Sequence, residues 1–325
     1  MSERADAVGL RCRCRCRRLA AAAFSPAKTL LDSLAVILRN RRLFLSLFAA
    51  AALPLSLLLF SLAVSSQPLR SRVLRLESFA RLAPTRFESR QALKDSRAVA
   101  LSLLRLRAAY SLPSLALSLA AAVSAVAAAH ASLAGKRPTL RSSLSPAREK
   151  FPRAFATAIC VYAAMWIYLS VPATLVALTG SPAARFLIVA AGVAAGIYVA
   201  AVLGLAMVVS VVEERFGWGA IRAGWGLMEG RRWSGWALSG FFAALVGWIW
   251  RLAAERMDGQ DWTSVDGMVR WTVGIKWRAL LIPAYGAVVL WSYVAATVFY
   301  HDKRRPGHLS SNNRADGEMV QIPDV

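Results

Sequence analysis

The 325 residues suffice for one or two domains; 57% are hydrophobic, only 18% are charged, and the formal net charge is +22. Runs of about twenty residues without a charge are something a water-soluble fold rarely needs. The basic residues sit in blocks that flank apolar runs, ten Lys/Arg against three acids in 1–42, ten against three in 65–107, six against one in 134–153, a pattern that suits anionic lipid headgroups and argues against direct nucleic-acid binding, which gathers basic residues and aromatics on one module.

Residues 1–27 read as a disordered basic tail. Its RCRCRCRRLAAAA stretch is low-complexity and arginine-rich, which is also how organelle transit peptides look; in that alternative the protein resides in a plastid membrane. Cys12, Cys14 and Cys16 alternate with arginine and Cys160 stands alone, so neither a zinc site nor a disulfide framework is indicated.

The first apolar run, Leu43 to Val64, has 22 residues. As a helix it rises roughly 33 Å, enough for a ~30 Å hydrocarbon layer. Pro54 lies inside it and predicts a kink. The run begins too late and is too long for a signal peptide, and five similar runs follow, at about 108–133, 154–179, 186–212, 233–250 and 279–300. Residues 306–325 read as a disordered tail. The expected fold is an all-α polytopic membrane helix bundle of six spans, residues 28–305, with amphipathic interfacial segments at 68–82 and 217–230.

Basic residues in short loops predict orientation. Six spans put both termini on one side, and the cytosolic assignment places Arg39, Arg41, Arg42, the 134–153 loop and Lys303 to Arg305 inside. The 251–278 segment, with five basic and four acidic residues, falls outside. The 65–107 loop runs against the rule, since its ten basic residues then lie on the far side.

Two patterns concern packing and the interface. Gly192, Gly196, Ala200 and Gly204 recur every four residues in span four and make a smooth stripe, for packing inside the bundle or between two chains. After span four, Trp218, Ile221, Trp225 and Met228 fall three or four residues apart on one helical face. They predict a surface-lying helix with tryptophan at the headgroup boundary, stopped near Gly230 and followed by Arg231 and Arg232. Gly219, Gly224 and Gly226 weaken that helix by about 1 kcal/mol each relative to alanine.

Ser210-Val211-Val212-Glu213, Phe216-Gly217, Ala220, Leu227 and Gly230-Arg231-Arg232 resemble the S-V-x-E…G…A…L-x-x-G-[KR] block of a plant family of six-span membrane proteins, labelled polyadenylate-binding-protein-binding protein-like. Val298-Phe299-Tyr300 is similar to that family's V-F-Y-Y ending, and LLDSLAVILRNRRLF to the cytosolic helix entering its first span. His301-Asp302-Lys303 departs from the Cys-Lys and histidines that usually follow. The resemblance implies six spans and membrane residence; the label implies a poly(A)-binding protein as a partner.

No residue is assigned a catalytic, cofactor-binding or metal-ligating role. The three histidines, His130, His301 and His308, accompany none of the metalloprotease, hydrolase or P-loop motifs. His130 reads as an interfacial hydrogen-bonding residue. Asp258, Asp261 and Asp266 lack the spacing and closing glutamate of an EF-hand and read as a solvated loop. No ionisable residue lies at mid-span, where an ion-coupled carrier usually keeps one. The expected function is a non-enzymatic membrane scaffold or adaptor of the endomembrane system or plasma membrane. The alternative is a transporter or channel for a neutral small solute.

Overall fold

The computed structural model describes residues 26–82, 85–135, 140–213, 215–229, 232–255 and 265–304. Among them the secondary structure is helical, with no strand. Helix α1 covers residues 26–39, followed by α2 (Arg41–Leu47), a π segment (Phe48–Ala52), α3 (Leu53–Leu82), α4 (Arg86–Leu133), α5 (Leu140–Leu178), α6 (Pro182–Val212), α7 (Trp218–Met228), α8 (Arg232–Glu255) and α9 (Val265–Arg304). Six stretches are long and apolar enough to cross a membrane: Arg41–Ala80, Phe87–Leu133, Pro152–Leu178, Pro182–Val212, Arg232–Glu255 and Ala279–Arg304. The protein is an all-α integral membrane protein.

The helices overrun the apolar windows. Apart from Thr85, the described residues of the 65–107 segment are helical and not a loop, and α4 alone has 48 residues. Such a helix is ~72 Å long, more than twice the hydrocarbon thickness. Residues 86–107 contain no glycine or proline and many strong helix formers, so nothing stops the helix where the charges begin. Likewise 68–82 is not a separate surface helix but the second half of α3, which runs through Pro68 in line with span one. Leu140 starts α5 inside the basic 134–153 stretch, and Val265 starts α9 well before residue 279. Of the three aspartates read as a solvated loop, Asp258 and Asp261 lie outside the described residues, and Asp266 falls within α9.

Pro54 is accommodated by the π segment before it. Proline lacks an N–H and its ring crowds the carbonyl four residues earlier. Widening the turn relieves this: the Leu53 N–H bonds to the Phe48 carbonyl, five residues back. The helix therefore continues through Pro54.

The chain forms two compact units. One comprises the described residues up to Phe44, within Ala122–Leu245 and from Leu290 onward. Its interior is built from small and branched side chains: Ala122, Val123, Ala125, Val126, Ala128 and Ala129 of α4 are all at most 2% exposed. Here α5 packs on α6, and α6 on α7. Trp236 of α8 donates its indole N–H to the Ala194 carbonyl of α6 at 3.0 Å. Trp291 of α9 donates to Ser33 Oγ of α1 at 2.8 Å.

The second unit comprises Leu45–Ala121 and Val246–Val289. Its core holds Phe60, Ile249, Ala253 and Leu281. Phe60 stacks on Trp250 at 5.0 Å between ring centroids, with Tyr285 edge-on to both. Gly286 lets α9 approach the π segment, since a Cβ there would lie 3.1 Å from the Ala52 carbonyl oxygen.

The glycine stripe divides. A Cβ on Gly192 would meet Pro172 at 3.2 Å, and one on Gly196 would meet the Tyr168 ring at 3.2 Å. The Tyr168 hydroxyl donates to the Gly192 carbonyl, so this half packs against α5. Ala200 is exposed and Gly204 has nothing within 4 Å of the corresponding position. Gly196→Leu is therefore expected to destabilise the protein by about 2 kcal/mol through overpacking, while Gly204→Leu leaves it nearly unchanged. Thermal melting of both variants in detergent checks this; equal melting temperatures would mean that α5 does not hold the stripe.

Candidate functional site

Glu213 ends α6 as its C-cap. Its side chain is only 15% exposed. The Tyr300 hydroxyl of α9 donates to Glu213 Oε1 at 2.7 Å, and the Arg304 guanidinium pairs with the same oxygen. Arg215 lies 3.8 Å from the other oxygen. A largely buried carboxylate needs donors of this kind to offset lost hydration. The result is a charged clasp between the ends of spans four and six.

Neighbouring bonds extend it. Lys303 donates to the Glu229 carbonyl just after α7, at 2.6 Å. His301 and His130 meet nitrogen to nitrogen at 3.4 Å, joining α9 to α4. Asn40 donates to Ser132 Oγ at 3.2 Å. Thr157 of α5 accepts the Gly217 N–H at 3.0 Å and donates to the Arg153 carbonyl at 3.1 Å. These bonds connect, at one end of this unit, chain segments beside all six spans. A cleft of about 440 Å³ beside the histidine pair is lined by Lys28, Asp32, Leu133, Val298, His301 and Asp302.

Of the residues singled out in the family-like block, Ser210 is buried and donates to the Met207 carbonyl at 2.8 Å, so it is bound within its own helix. Gly217 adopts φ 60° and ψ −131°, open only to a residue without Cβ, and turns the chain into α7. Leu227 is partly buried, and Gly230 and Arg231 lie outside the described residues. The V-F-Y ending is buried: Val298 at 7%, Phe299 at 3% and Tyr300 at 4% exposure.

The tryptophan segment is a helix, α7, but its four marked residues do not share one environment. Ile221 and Met228 are 8% and 0% exposed, whereas Trp218 and Trp225 are 74% and 50% exposed. The face turned to α6 also takes in Ala220 and Gly224, and its centre lies roughly 70° around the helix from that of the four-residue stripe. The physical reason is close approach. A Cβ on Gly224 would lie 2.8 Å from the Val202 carbonyl oxygen and 3.1 Å from the Ala206 nitrogen, both backbone atoms of α6. Small residues go where backbones touch, and the indoles go to the flank, where Trp225 meets Tyr198 edge-on.

Sequence reasoning missed Tyr300, Arg304, Thr157 and the histidine pair as members of one cluster. The available signal was that each stands at the end of an apolar run. Among the described residues no group of three or more His, Cys, Asp or Glu could hold a metal ion. Cys12, Cys14 and Cys16 lie outside the described residues.

The family described as "Domain of unknown function (DUF8558)" matches residues 23–302. The match takes in Glu213, Gly217 and Tyr300, and stops just short of Lys303 and Arg304. Neither the curated proteins nor the solved structures yielded a match.

Proposed function

We propose, from the premise that the chain belongs to the DUF8558 family, that it is a non-enzymatic membrane scaffold or adaptor of the endomembrane system or plasma membrane. Its working surfaces are the charged ends and overrunning helices, and its bundle serves to hold them. One observation carries this reading. Charged groups gather at helix ends and on the extensions of α3 and α4, while the buried residues of the spans are mostly alanine, valine and leucine. Buried hydroxyls bond back to their own helices, as Ser56 does to the Leu53 carbonyl and Thr297 to the Tyr293 carbonyl. A bundle closed in this way favours a holding role over passage of a solute.

The resemblance to polyadenylate-binding-protein-binding protein-like membrane proteins of plants names a first partner to test, a poly(A)-binding protein. Proximity labelling from the C-terminus in cells should recover the same soluble partner repeatedly. Labelling should fall when the six basic residues of 134–153 are neutralised. Solute flux through reconstituted liposomes, with no such partner, would favour the transporter reading instead.

The clasp joins the segments that an even number of spans puts on one side, and we assign that side to the cytosol, together with both termini. Glycosylation acceptors inserted near residue 140 should stay unmodified, while those near 84 and 260 should be modified. The site near 84 is decisive, because it sits between the basic extensions of α3 and α4. The reverse pattern places the arm formed by 65–107 in the cytosol.

A further inference from the structure

We propose that the second unit holds a binding site for one anionic glycerophospholipid, a feature independent of the scaffold reading. The site is a cleft of about 340 Å³ whose apolar wall includes Leu59, Leu62 and Trp250, with the buried Ser66 beyond them and the exposed Arg70 and Arg107 at the mouth.

The order of residues along α3 sets the chemistry. Leu59, Leu62, Ser66 and Arg70 are spaced three or four apart, so they form one strip on one helical face. From Leu59 to Arg70 the strip rises about 16 Å, from hydrocarbon-like to cationic. The other two helices change character at the same level. Arg107 of α4 immediately precedes the apolar run that starts at Ala108, and Trp250 closes the apolar run of α8. The cleft thus has a lipid's own polarity gradient, with an indole at the boundary where indoles are favoured.

Two guanidiniums at one mouth repel each other, and no carboxylate lines the cleft among the described residues. An anion between them relieves that repulsion. A phosphate fits best, because a guanidinium can donate two parallel hydrogen bonds to its oxygens. Ser66 is small and 3% exposed, and its hydroxyl turns to the Ala63 carbonyl at 3.1 Å, which leaves the strip clear between the leucines and Arg70. A zwitterionic lipid brings a bulky ammonium to the same mouth and is disfavoured. A free phosphate leaves the apolar wall uncovered.

The test uses the full chain in detergent, with native mass spectrometry after addition of dioleoyl phosphatidic acid, dioleoyl phosphatidylserine or dioleoyl phosphatidylcholine. One anionic lipid per chain should remain bound at collision energies that strip phosphatidylcholine. In Arg70→Gln/Arg107→Gln its retention should fall at least tenfold. In Arg72→Gln/Arg105→Gln, which removes the same charge from exposed neighbours outside the cleft, retention should not change. Equal loss in both double variants would reduce the effect to bulk electrostatics and overturn the proposal. So would equal retention of phosphatidylcholine, or full displacement by millimolar inorganic phosphate. Trp250→Ala should weaken lipid retention and leave inorganic phosphate without effect.

Discussion

Gly224→Ala is expected to cost about 2–3 kcal/mol, the largest effect of any single methyl added to the described helices. The added carbon would sit 2.8 Å from one backbone atom of α6 and 3.1 Å from another. Backbone cannot rotate away as a side chain can, so α7 must lift from α6, exposing Ala220 and Met228, which are now fully buried. The same change at Gly219, five residues earlier in α7 but facing open space, should do the opposite. Nothing lies within 4 Å of that position, and alanine there favours the helix by up to about 1 kcal/mol. Thermal unfolding in detergent, with tryptophan fluorescence to follow Trp218 and Trp225, separates the two variants by sign. If both glycine replacements shift melting in the same direction, α7 does not pack as described.

Removal of the Glu213 carboxylate should have the next largest effect. Glu213→Ala leaves a buried Tyr300 hydroxyl without its acceptor and Arg304 without its counter-charge. A hydrogen bond to a charged group is worth about 1.5–3 kcal/mol. The ion pair adds little, because Arg304 is 54% exposed and water screens it. The expected loss is therefore about 2 kcal/mol, and it should depend weakly on salt. Tyr300→Phe should reproduce about half of it, since the acceptor keeps Arg304. A double variant, Glu213→Ala with Tyr300→Phe, should cost less than the sum of the two, because the pair shares one bond. Additive losses would mean that the two residues act separately.

The clasp also explains why the family-like block resisted interpretation as a motif. Ser210, Glu213 and Gly217 are close in sequence, yet each is used differently. Ser210 satisfies itself within α6, Glu213 reaches across to α9, and Gly217 supplies a turn that Thr157 of α5 holds. Short-range spacing carries no information about partners 60 or 87 residues away. The place of His130 at the end of a span was legible; that His301 would meet it was not.

Composition and apolar run length alone determined that the chain is all-α and crosses a membrane, because a backbone in hydrocarbon must satisfy its own hydrogen bonds and a helix does so locally. They also located all six spans, since hydrocarbon thickness sets the number of apolar residues required. They did not determine where helices end. Lipid solvation stops at the first charges, but helix propensity does not, and so α3, α4, α5 and α9 run on through basic sequence. Nor did periodicity settle which side of α7 faces inward. Hydrophobic spacing assigned the indoles to the headgroup boundary but did not say which face meets the protein; close backbone packing on α6 selected Ala220 and Gly224, because the residue that fits between two backbones is the one with the least side chain.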